Sequence, residues 1–201
     1  MFYQIYMEKP RHKTKDVLAY VSVVFGESFK VNGMWIENNS KSEKPTLCFP
    51  VYKVNKDGKN KSCIQYVPIT SEFYKEFTTN VLETYQDMLN GNKTSIVTKC
   101  GSKLDDFNFK VRVNPLSSSK NKNLKGIASI HLNNCFALNS VFISKDKNNR
   151  LNAAMPRYKT VDSKGKSVYC DLYEILDDTL RMEVFKSILI GYSEASNKKS
   201  K

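Results

Sequence analysis

The sequence predicts an α+β fold made of two tandem copies of a small antiparallel sheet, each copy followed by a helix at its C-terminal end. Three observations carry this expectation. The stretches 126–132 and 136–143 place apolar side chains at alternate positions, the period of half-buried strands. A segment with Leu180, Val184, Ile188, Leu189 and Tyr192 on one face at helical spacing closes the same half. The first half then reads as a copy of the second at a nearly constant offset.

The strands 126–132 and 136–143 are separated by Asn133-Asn134-Cys135, and Asn tolerates positive φ, so the link predicts a tight hairpin. The polar run 145–150 reads as a solvated loop. A short strand ends at Met155-Pro156, because proline has no N–H to give a sheet ladder. A turn over 162–166 and a strand over 168–172 precede the helix. Upstream, Phe107, Phe109, Val111 and Val113 alternate with Asn108, Lys110 and Arg112, which predicts a strand ending before Pro115. The stretch 117–125, nearly all Ser, Lys and Asn, reads as a flexible, positively charged loop.

In the first half, 16–25 and 29–36 alternate around Gly26-Glu27-Ser28. Ser22 corresponds to Ser129, Phe29 to Phe136, Asn32 to Asn139 and Ile36 to Ile143, each 107 positions later. Phe49-Pro50-Val-Tyr52-Lys53 meets Met155-Pro156-Arg-Tyr158-Lys159 at 106, and the offset returns to 107 at Gly58 and Gly165, Cys63 and Cys170, Tyr85 and Tyr192. An offset held over this span is the signature of a duplicated unit. A helix over 71–89 is predicted from Phe73, Phe77, Val81, Leu82, Tyr85 and Leu89, stopped by Asn90-Gly91-Asn92. The expected organisation is a first domain at 1–92, a linker at 93–104, a second domain at 105–193 and a basic disordered tail at 194–201.

The 201 residues include 32 Lys/Arg and 20 Asp/Glu, a net charge of +12. Residues 1–92 hold 12 Lys/Arg and 10 Asp/Glu, and residues 93–201 hold 20 and 10, so the second half carries +10 of that excess. Such an excess favours polyanions, because neutralised phosphates release counterions. The five cysteines include no Cys-x-x-Cys pair and only two histidines are available, so no zinc-ligand spacing can be assembled; the thiols read as small apolar groups in a reducing compartment. No apolar run of membrane-spanning length and no signal-peptide core is present, so a cytoplasmic protein is expected. No nucleophile motif, phosphate-binding glycine loop or catalytic carboxylate pair is found, so no enzyme and no cofactor are expected. Asp177 and Asp178 read as helix-capping acids, and His131 as a surface residue.

Leu151-Asn-Ala-Ala-Met-Pro156 followed by basic residues and Thr160, with Ile127-Ala-Ser-Ile130, Phe136, Gly165, Asp171 and a helix ending near Tyr192, resembles the septation protein SpoVG family of small bacterial nucleic-acid-binding regulators. The resemblance covers roughly residues 107–192. It implies a non-enzymatic DNA- or RNA-binding regulator, and since the family pairs single-domain chains as homodimers, two tandem copies imply an intramolecular pseudo-dimer. The candidate phosphate-binding residues are Arg157 and Lys159, two apart on one face with Tyr158 turned to the core, Lys164 and Lys166 flanking the next turn, and Arg181 one turn into the helix, where the resembled family usually has a basic residue. The sequence departs from the family before that helix, where Glu174, Asp177 and Asp178 would repel phosphate. The alternative expectation is a protein-interaction or scaffolding module whose lysines serve solubility.

Overall fold

The computed structural model of the chain describes residues 1–11, 16–39, 44–56, 59–102, 107–116, 121–161 and 165–199. The fold is α+β, as the sequence predicts. In chain order the elements are β1 (Tyr3–Glu8), β2 (Val17–Phe25), β3 (Phe29–Asn38), β4 (Pro45–Cys48), β5 (Val51–Lys56), β6 (Lys59–Ile64), β7 (Tyr66–Pro68), α1 (Ser71–Asn90), β8 (Ser95–Cys100), β9 (Phe109–Pro115), β10 (Leu124–Leu132), β11 (Phe136–Lys145), β12 (Leu151–Ala154), β13 (Arg157–Val161), β14 (Ser167–Asp171), β15 (Tyr173–Ile175) and α2 (Asp178–Lys199).

Two larger antiparallel sheets and two hairpins result. The first sheet runs β15-β3-β2-β1-β8 with β4 on β3, and the second runs β12-β11-β10-β9 with β7 on β11; β5 pairs with β6 and β13 with β14. Both long hairpins turn through two residues at positive φ, Gly26 (53°) with Glu27 (57°) and Asn133 (44°) with Asn134 (52°). That backbone twist matches the twist of the flanking strands, so it fixes the register of each pair.

The halves exchange strands. Tyr66–Pro68 of the first half pairs with β11 of the second, Tyr66 opposite Leu138. Tyr173–Ile175 of the second half pairs with β3 of the first, Tyr173 opposite Val31. Each exchanged strand is fastened the same way. The Tyr66 hydroxyl donates to the Asn32 carbonyl and the Tyr173 hydroxyl to the Asn139 carbonyl at 2.7 Å. The Asn32 N–H donates to the Leu172 carbonyl at 2.8 Å, and the Asn139 N–H to the Gln65 carbonyl at 2.6 Å. Both tyrosine rings are fully buried, and that burial pushes both phenols up from their ordinary range.

One apolar cluster spans both halves as a consequence. Phe136 lies 4.5 Å from Phe25, 5.8 Å from Phe77, 6.1 Å from Tyr66 and 6.4 Å from Phe73, centroid to centroid. Aromatic groups at these separations add to plain area burial. Helix α1 starts where Thr70 Oγ1 accepts from the Phe73 N–H at 3.2 Å. Its buried face is Phe73, Phe77, Val81, Thr84, Tyr85 and Met88; Met88 takes the place expected for Leu89, which is exposed. It is Asn92, at φ 47°, that turns left-handed beyond the helix, while Gly91 stays at −79°. Helix α2 buries Val184 and Ile188, with Leu180, Leu189 and Tyr192 packed beside them.

Four expectations need correction. Within the stretch expected as a linker, Ser95–Cys100 is a strand on β1, because Ile96, Thr98 and Cys100 alternate toward the interior and the β1 edge is open to pairing. The tail expected to be disordered continues α2 as far as Lys199, since no proline or glycine stops the helix after Gly191. Leu124 and Lys125 open β10 rather than end a loop, and 117–120 lie outside the described residues. Tyr158, expected in the core, is 37% exposed, because its hairpin pairs with neither sheet and leaves the ring at the edge of an open groove.

Candidate nucleic-acid interface

Pro156 ends β12 and re-aims the chain into the β13–β14 hairpin, whose register sets Arg157 opposite Asp171 and Lys159 opposite Tyr169. Alternation along a strand therefore gathers Arg157, Lys159, Tyr169 and Asp171 on one hairpin face. Tyr169 is 68% exposed, an aromatic residue directly across the hairpin from Lys159. The Arg157 guanidinium is 65% exposed and its Nε donates to Asp171 Oδ1 at 2.6 Å. An exposed pair of this kind contributes about 0–1 kcal/mol to folding, so it orients Arg157 more than it stabilises the fold.

Arg181 lies on the first turn of α2 and its guanidinium pairs with Asp178. The Leu180 N–H is capped by Asp177 Oδ1 at 2.6 Å, in keeping with the capping expected of these acids. Arg157 and Arg181 meet across a depression of about 290 Å³ whose lining also includes Asp171, Glu174 and Phe185. Glu174 is bound in turn by Lys30 Nζ at 3.1 Å, a contact between the halves. The three cations of this cluster thus face three carboxylates, and the cluster offers little net charge to a polyanion. Lys166 is exposed next to Gly165, at the turn end of the hairpin beyond the Val161–Ser167 pair, while Lys164 lies outside the described residues.

A second set of basic groups escapes the motif reading. On β9, Lys110 and Arg112 are exposed and stand opposite His131 and Ser129 of β10. Ser129 Oγ lies 3.2 Å from His131 Nε2. Partial burial, and then the Arg112 charge, hold the His131 imidazole below its ordinary range and favour its neutral form. The signal was the alternation itself, since a strand with Val111 and Val113 inward must turn Lys110 and Arg112 outward.

Among the described residues no group of three or more His, Cys, Asp or Glu could hold a metal ion, and no helix is long and apolar enough to cross a membrane. All five cysteines are free and half-buried; burial pushes the Cys48 thiol up to about 11, which suppresses the reactive thiolate.

Residues 108–194 match the family model described as SpoVG, a match confined to the second half. Neither the curated proteins nor the solved structures give a significant match.

Proposed function

We propose that this protein is a non-enzymatic, cytoplasmic, nucleic-acid-binding regulator whose two SpoVG-like units, 1–92 and 105–193, form a pseudo-dimer within one chain. The observation that carries the reading is a coincidence: the SpoVG match falls on the half that holds +10 of the net +12. Binding runs mainly through phosphate contacts of Lys159 and Lys166, with Arg157 and Arg181 contributing by exchanging their exposed Asp171 and Asp178 partners for phosphate; Lys164 joins them as a sequence neighbour. Lys110 and Arg112 extend the positive surface along β9. Such contacts position a nucleic acid without reading its sequence.

The reciprocal pairing of β7 with β11 and β15 with β3 supports the pseudo-dimer. An isologous interface needs equivalent residues on both sides, and here they lie 107 positions apart in one chain, as Tyr66 and Tyr173 do. Light scattering is expected to give a monomer whose mass does not rise with concentration.

Binding is tested with random single- and double-stranded DNA and RNA at two salt concentrations, wild type beside the Arg157→Ala/Lys159→Ala double variant. The double variant is expected to bind duplex more weakly and to flatten the slope of log affinity against log salt by about 1.8. Unchanged affinity with an unchanged slope removes the hairpin from the interface.

A second reading, a protein-interaction module, is favoured by the aromatic groove on the first sheet. Absence of salt-dependent polyanion binding in the screen would select it.

A further inference from the structure

The outer face of the first sheet gathers rings where the β9 face of the second sheet carries cations. Strand pairing sets Ser95, Glu8, Tyr20 and Trp35 side by side across β8, β1, β2 and β3. The next row holds Val97 beside Tyr6. Tyr158, carried over from the other half by its hairpin, joins them in a groove of about 750 Å³. Tyr6, Tyr20 and Tyr158 keep 37%, 43% and 37% of their surface exposed, and exposed rings gathered in one groove form the kind of contiguous patch that marks an interaction surface.

The charges are as telling. Among the described residues that line the groove, Glu8 is the charged one, and no lysine or arginine is present, in a chain with 32 of them. At its edge the Trp35 indole N–H donates to Glu37 Oε2 at 2.7 Å, which holds the indole in place and sets a second carboxylate beside it. Among the described lining residues a phosphate backbone would meet Glu8 and no cation. A cation would meet ring faces and a compensating negative charge, the arrangement that attracts guanidinium and ammonium groups.

We infer that this groove is a docking site for an arginine-bearing segment of a partner protein, its guanidinium seated against Trp35 and Tyr20 and neutralised by Glu8. The assignment is independent of nucleic-acid binding by the second half. Tyr158 makes the site a joint product of both halves.

Trp35 is the chain's one tryptophan, so intrinsic fluorescence reads the groove directly. The full chain is titrated with an acetylated Gly-Arg-Gly-Arg-Gly amide, with its glutamate counterpart and with oligothymidylate. The arginine peptide is expected to change Trp35 emission saturably and the glutamate peptide to leave it unchanged. Glu8→Gln and Tyr20→Leu, each checked for native far-UV dichroism, are expected to weaken the arginine peptide by about fivefold. Tyr20→Leu keeps the apolar bulk and removes only the aromatic face. Failure of the arginine peptide to saturate, wild-type affinity in both variants, or oligothymidylate saturating the same signal as tightly would overturn the assignment.

Discussion

The two sheets share their inner faces and differ on their outer ones. At matching places along the strands, the first sheet shows Gln4 and Tyr6 where the second shows Lys110 and Arg112, each pair standing opposite the strand that follows it. Inward, Ile5 and Met7 match Val111 and Val113, so apolar size and shape are kept where one core must be filled. The lesson is that the fold constrains what faces the shared core and leaves each outer face to its own chemistry. Two copies of one chain would have to carry every change on both faces; two halves of one chain do not.

The asymmetry between the halves is largest at the centre of the shared core. Phe136→Ala and Phe29→Ala truncate equivalent positions, but Phe136 sits among Phe25, Phe73, Phe77 and Tyr66, whereas Phe29 meets Phe107 at 5.7 Å and Phe109 at 6.4 Å. Each is expected to lose about 3–5 kcal/mol in denaturant unfolding, with Phe136→Ala the costlier. Equal losses would mean that the two aromatic environments within the shared core are interchangeable.

The next effect sharpens the asymmetry. Gly33 and Ser140 occupy equivalent points at φ 84° and 67°, where β3 and β11 bend between their two outer partners. In the first half glycine fits without strain; in the second a serine tolerates it, and its Oγ donates to the Tyr52 hydroxyl of the β5–β6 hairpin at 3.4 Å. Gly33→Ser is expected to destabilise by about 1–2 kcal/mol in a thermal melt. Ser140→Gly should cost much less, the loss of one weak hydrogen bond against relief of strain. The reverse ranking would place the strain elsewhere.

Smaller still is the pair Tyr66→Phe and Tyr173→Phe. Each deletes one hydroxyl that fastens an exchanged strand, and each is expected to cost about 1 kcal/mol, measured by urea midpoint at constant m-value. Clearly unequal costs would show that one exchange is the firmer.

The smallest effect is a pH dependence confined to the second sheet. Because the folded state holds the His131 imidazole below its ordinary value, it favours the neutral ring. That contribution is present above the unfolded pKa and is lost as pH falls through the folded one. His131→Gln should flatten the stability profile on the acid side of the ordinary histidine range. An unaltered profile removes His131 from the linkage.

Much of this was legible in the sequence because it is written in local periods. The hairpins at Gly26-Glu27 and Asn133-Asn134, both helices and the offset between halves follow from alternation and turn chemistry. What escaped was settled by pairing over distance. Ser95–Cys100 carries only a short β-branched run, Ile96-Val97-Thr98, inside a polar stretch, and it becomes a strand through the open edge of β1. Tyr158 looked like core because alternation fixes relative faces but not what lies over each face. At the candidate interface, sequence placed Arg157 and Lys159 on a common strand face, yet could not place Asp171 across from Arg157, since that contact depends on hairpin register. Lys110 and Arg112 were visible as outward residues, but their partners on β10 were not.

The exchanged strands also set an order of events during synthesis and refolding. Residues 66–68 emerge long before 136–138, and the Asn32 side-chain amide must wait for the Asp171 carbonyl, 139 positions further on, to which it donates at 3.5 Å. Until then β3 presents an unfilled edge and Phe25 lacks the ring that covers it. Loop closure over such distances must precede the contacts that reward it, which slows folding and prolongs exposure of apolar edges. The same connectivity denies the finished protein a half-folded resting state: removing either half strips a strand from the other, so the chain is expected to unfold in one cooperative transition.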